Sequence, residues 1–167
     1  PFMIYFGEET GERGMDEEGF SGCDGRTTIF DWWSVGSVRR LRKLIASGAY
    51  KSTSVSALVK GGLKKEEAEI FLKFSKAVRF AAEDEAVRMG TTYDLCYCNM
   101  SSDGFDKNRH YAFLRDYEDH TLLIAANFSA HDAVMKLTIP EHAFEWMGIP
   151  ITEEMHPGKV IEVTVPS

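Results

Sequence analysis

The chain has 167 residues, enough for one ordinary domain or two small ones with a modest core. Hydrophobic residues make up 44% and charged residues 27%, a globular balance that argues against long disorder. A net charge of −7 repels phosphate backbones and makes nucleic acid a poor partner, and no apolar run approaches the roughly 18–20 residues that cross a bilayer.

Residues 1–6 (PFMIYF) are continuously apolar and aromatic, as in a strand buried on both faces of a parallel sheet. Such a strand needs neighbours, so it reads as one cut from a larger protein. Residues 7–25 are glycine-rich and acidic, without periodicity, and long loops of this kind are often functional. An aromatic cluster follows, with Phe30, Trp32 and Trp33 around Asp31.

The spacing of Val38, Leu41, Leu44 and Ile45 predicts a helix over 38–47, capped by Ser34 or Ser37 and stopped by Gly48. Arg39, Arg40, Arg42 and Lys43 fall on its exposed side. Residues 52–56 read as a polar linker. A long helix is expected over 64–89, its stripe of Ile70, Phe71, Phe74, Val78 and Ala81 facing a core. Glu66 and Glu67 suit its first turn, and Gly90 suits its end.

After Gly90 the period falls to two. Alternating runs at 93–98, 110–117, 121–128, 133–139 and 160–165, with a short helix over 140–147, read as an antiparallel sandwich or sheet. The fold expected is α+β, with a boundary near Gly90.

Chemistry-bearing patterns are sparse. The glycine-rich loop holds no phosphate-cradling motif, and its carboxylates would repel phosphate. They suit Ca²⁺ by ligand type but match no EF-hand spacing, so a solvated acidic loop is the simpler reading. Three cysteines, Cys23, Cys96 and Cys98, imply no disulfide framework. On one strand face Cys96 and Cys98 would be a weak zinc signal and better small hydrophobes. Their reduced look leans towards the cytoplasm. The five histidines sit in no ligand or nucleophile pattern. Asp31, Trp32 and Trp33 are the most suggestive cluster: indoles lie flat on sugar rings and a carboxylate accepts hydroxyl hydrogen bonds, although packing between the loop and the helices is the simpler reading.

Several segments resemble the alpha-amylase family of glycoside hydrolases. Residues 1–9 (PFMIYFGEE) look like that family's last barrel strand, P-x-x-Y-Y-G-E-E. Residues 24–34 (DGRTTIFDWWS) resemble the stretch after it in bacterial members, and residues 64–89 are similar to the closing barrel helix. Tyr111-Ala112-Phe113-Leu114-Arg115, followed by Leu122 to Phe128, is similar to the Y-A-F-x-R … L-L-V-x-x-N-F pattern of the C-terminal sandwich. Phe6 stands where a second tyrosine is usual, and residues 34–62 are a long insertion.

The resemblance implies residues 1–90 as the last strand, loop and helices of a (β/α)8 barrel, and residues 91–167 as an antiparallel β-sandwich. It implies a parent that is a retaining enzyme acting on α-glucans or malto-oligosaccharides. The family's catalytic carboxylates lie on strands upstream of this chain. The chain should therefore be inert, serving to stabilise its own catalytic barrel. Glu9 matches the rim of the cleft, with Asp31, Trp32 and Trp33 beside it. No cofactor is expected here, Ca²⁺ belonging if anywhere to the parent. Without its barrel, the chain is expected to self-associate. The rival reading is a non-catalytic carbohydrate-binding module with Trp32 and Trp33 as a stacking platform.

Overall fold

A computed structural model describes residues 4, 7–12 and 36–167. The chain is mixed helix and sheet and divides into two compact units, Pro1–Phe80 and Ala81–Ser167. That division falls inside a helix, upstream of Gly90, where the sequence changes period.

In the first unit a 3-10 turn, Glu8–Thr10, precedes α1 (Gly36–Ser47), α2 (Val55–Lys60) and α3 (Lys65–Glu83). Leu44, Leu58, Leu63 and Ala68 form its buried core, with Leu41, Val55, Phe71 and Leu72 packed against them. Helix α1 stops at Gly48, whose φ of 74° is left-handed. Two expectations change here. Ser37 is no cap: it lies within α1, buried, its hydroxyl unpartnered among the described residues. Nor is 52–56 all linker, because α2 begins at Val55 and delivers Leu58 to the core.

Arg40 also leaves the exposed basic face. Its Nε donates to Glu67 Oε2 at 2.8 Å and its Nη2 donates to Oε1, a fork that suits a carboxylate. Glu67 accepts in addition from the Lys64 amide at 2.9 Å, the reach-back half of a capping box at the start of α3. The bond from Arg40, more than any other contact, holds the Glu67 carboxyl below its ordinary range.

The helix expected over 64–89 is two helices, α3 and α4 (Glu85–Met89). Asp84 lies between them with extended backbone, φ −79° and ψ 125°. Its Oδ1 accepts the Val87 amide at 3.0 Å. A short acidic side chain that can cap the next helix competes with continuation of the last one. The apolar stripe faces the core only in part: Phe71 packs against it, whereas Ile70 is exposed and Phe74, Val78 and Ala81 are half-buried.

The second unit holds β1 (Thr91–Asp94), α5 (Cys96–Asn99), β2 (His110–Tyr117), β3 (His120–Asn127), β4 (Ala133–Thr138), α6 (Glu141–Met147) and β5 (Val160–Val165). One sheet has the order β1-β2-β3 and the other pairs β4 with β5, all antiparallel. Ala112 and Leu114 of β2 alternate with less buried neighbours, as do Met135 and Leu137 of β4. These four side chains belong to one core with Tyr93, Leu95, Ile139 and Phe144, so both sheets bury apolar surface together. Gly104, at φ 76°, passes so close to β4 that a Cβ would fall 1.9 Å from the Val134 carbonyl oxygen. Only glycine fits there.

The first alternating run ends earlier than expected. Asp94 Oδ1 accepts the Cys96 amide at 2.9 Å, and the chain turns into α5. Cys96 and Cys98 therefore do not share a strand face. The Cys96 thiol donates to the Ala112 carbonyl at 3.5 Å, and that of Cys98 to the Leu95 carbonyl at 3.2 Å. Both are free, and burial pushes both thiols up, which leaves them protonated and poor nucleophiles at neutral pH.

Candidate functional site

Of the residues expected at a sugar cleft, Asp31, Trp32 and Trp33 lie outside the described residues. Glu9 sits in the 3-10 turn, where its Oε2 accepts the Gly7 amide at 3.1 Å, a local contact that closes the turn. Among the described residues no group of His, Cys, Asp and Glu has the geometry of a metal site. No described helix is long and apolar enough to cross a membrane.

A different cluster stands out in the second unit. Tyr93 on β1, Tyr97 on α5, and His142 and Trp146 on α6 line a shallow cleft of about 340 Å³, edged by Thr92 and Asp94. His142 and Trp146 are four apart on one helix, so both project from the same face. Tyr93 is the anchor, 8% exposed, whereas Tyr97 and Trp146 are 52% and 54% exposed. The Tyr93 ring lies 5.8 Å from both His142 and Trp146, and 6.3 Å from Tyr97, always tilted. These separations are those of favourable aromatic pairs.

The polar ends of the rings are joined. The Tyr93 hydroxyl lies 2.6 Å from that of Tyr97 and 3.0 Å from Nδ1 of His142. Tyr93 has one proton to give; when it goes to Nδ1, Tyr97 donates to Tyr93 and Nε2–H of His142 remains for an outside acceptor. Burial first, and then the contact with Tyr97, drives the Tyr93 phenol up, so it stays neutral. Asp94 is already engaged by the Cys96 amide.

No pair of carboxylates faces across the cleft, where Asp94 is the one acid among the lining residues. The cleft has two exposed aromatic faces fixed by a buried hydrogen-bonded ring, with hydroxyl and imidazole groups at their edge. That is the chemistry of a surface that stacks on a sugar face and bonds its hydroxyls. The one trace of it in sequence is the His-x-x-x-Trp spacing of α6; Tyr93 and Tyr97 read as members of a single alternating strand.

No protein-family model matches this chain, and no curated protein or solved structure matches it either.

Proposed function

We propose that this chain is the C-terminal portion of an alpha-amylase-like glycoside hydrolase that acts on α-glucans in carbohydrate metabolism. It lacks the catalytic carboxylates and stabilises the barrel that carries them. The observation that supports this best is where the motif residues fall. Tyr111 to Arg115 and Leu122 to Asn127 lie on paired strands, Leu114 opposite Leu123 and Tyr111 opposite Ala126. The motif asparagine, Asn127, donates to the Val165 carbonyl at 3.2 Å and so ties β3 to the end of β5. A shared core between the two sheets is what a small C-terminal β-sandwich requires. The half-exposed stripe of α3 is what a helix presents when it packs on further barrel elements. Incubation of the pure chain with soluble starch should release no reducing sugar; release would overturn the proposal.

A second reading, a non-catalytic carbohydrate-binding module, is favoured by the aromatic shelf. The platform would then be Tyr97 and Trp146. Under this reading Trp146→Ala removes binding of malto-oligosaccharides followed by calorimetry, whereas a double Trp32→Ala, Trp33→Ala variant retains it.

A further inference from the structure

The charge of this chain is not evenly spread. Residues 36–80 carry eleven Lys and Arg against three Asp and Glu, a net of +8 in a chain of net −7. All three acids stand at the start of α3 (Glu66, Glu67 and Glu69), and two are engaged: Glu67 by Arg40, and Glu69 by Lys65 at 3.9 Å.

Further along α3 the same surface opens into a cleft of about 370 Å³ against the 49–53 segment. Phe71 and Leu72 form its floor, both also packed on the buried core of the first unit. Lys76 and Arg79 rise from α3 on one side, Lys51 from the other, and no carboxylate lines it. None of the three cations has a carboxylate partner among the described residues. Ser52, Thr53 and Ser75 add hydroxyls between them, and Tyr50 adds a ring beneath Lys51, whose Nζ lies 5.8 Å from the ring centroid.

We infer that this cleft binds the phosphate monoester of a small polyhydroxylated molecule, such as a phosphorylated sugar. The volume suits one small ligand and is too small for a folded partner. Three cations in one lining match a dianion, and the arginine fork offers two-point contact with phosphate oxygens. The serine and threonine hydroxyls suit the hydroxyls of the body, and the Phe71 and Tyr50 rings suit its apolar face. Clustered cations repel one another, and a bound dianion relieves that repulsion. This inference is independent of the α-glucan reading, since the aromatic shelf and this cleft share no residue.

Calorimetry of the full chain with glucose 6-phosphate, inorganic phosphate and glucose tests it. Glucose 6-phosphate should bind, inorganic phosphate should displace it, and glucose should show no measurable heat. A Lys76→Ser, Arg79→Ser double variant should weaken binding by about tenfold or more, given what bonds to charged groups contribute. Lys60→Ser, on α2 and outside the cleft, should bind as wild type does. Lys51→Ser removes charge from the opposite wall and gives the same test if the double variant fails to fold. The inference is overturned if wild type does not bind glucose 6-phosphate, if phosphate does not displace it, or if glucose binds as tightly. Binding left unchanged by loss of the cleft cations also overturns it.

Discussion

The side chain of Asn99 bonds both backbone polar groups of Thr138. Its Oδ1 accepts the Thr138 amide at 2.8 Å, and its Nδ2 donates to the Thr138 carbonyl at 3.0 Å. The same amide group donates to the Leu95 carbonyl at 2.9 Å and accepts from the Ser102 hydroxyl at 3.0 Å. Asn99 is fully buried. It thus pairs with the end of β4 as a neighbouring strand would, and joins α5, which lies between β1 and β2 of the first sheet, to the second sheet.

Asn99→Ala leaves the Thr138 amide and two carbonyls short of partners. A loss of about 3 kcal/mol is expected from several unmade buried bonds together. Asn99→Asp should do no better, because a carboxylate cannot donate to the Leu95 and Thr138 carbonyls. Urea unfolding followed by circular dichroism measures both; near-wild-type stability of either would show that water replaces the amide.

Arg40→Ala should destabilise the first unit by about 2 kcal/mol at neutral pH, because it leaves Glu67 half-paired and nearly buried. The sign of the pH dependence follows from the lowered Glu67 carboxyl. A depressed carboxylate stabilises fully above its ordinary value of 4.5 and loses that contribution as pH falls through the folded value. The gap between wild type and variant should therefore close in acid, and denaturant melts across that range test it.

The hairpin between β2 and β3 has a two-residue loop, Glu118-Asp119, closed by the pair Tyr117 and His120. Glu118 has φ 53°, a left-handed position that favours Gly or Asn in such loops. Glu118→Gly or Glu118→Asn should stabilise by about 0.5–1 kcal/mol. A thermal melt showing loss instead would mean that the Glu118 side chain matters more than its backbone strain.

In a Cys23→Ser variant, Cys96 and Cys98 should resist a colourimetric thiol reagent near neutral pH until denaturant is added. Burial raises both thiols, and the thiolate is the reactive form. Rapid reaction of either thiol in the folded protein would contradict this packing.

The half-buried stripe of α3 should make the chain associate with itself. Sedimentation velocity over a micromolar concentration series should show a rising sedimentation coefficient; a constant monomer would show that the stripe needs no cover.

The strands of the second unit were legible because their alternation matched half-burial: β2 with Ala112 and Leu114 inward, β5 over the residues expected. The β2–β3 turn falls in the gap between the alternating runs at 110–117 and 121–128. Failures came where a side chain competed with backbone periodicity. Asp84 breaks a helix whose stripe runs on through it, and Asp94 ends a strand whose alternation continues to Cys98. Both are local caps that a pattern of apolar residues cannot register. The aromatic shelf was invisible for another reason: its rings come from β1, α5 and α6, and only the fold brings them together.

The proposal is that this chain serves an α-glucan-acting barrel and carries no chemistry of its own. The most direct test is native electrophoresis in gels with and without soluble starch, with reducing sugar assayed from the same protein. No reducing ends should appear; retardation of wild type by starch that Trp146→Ala abolishes would favour the carbohydrate-binding reading, and mobility indifferent to starch the purely structural one. Reducing sugar released by the pure chain would contradict the proposal.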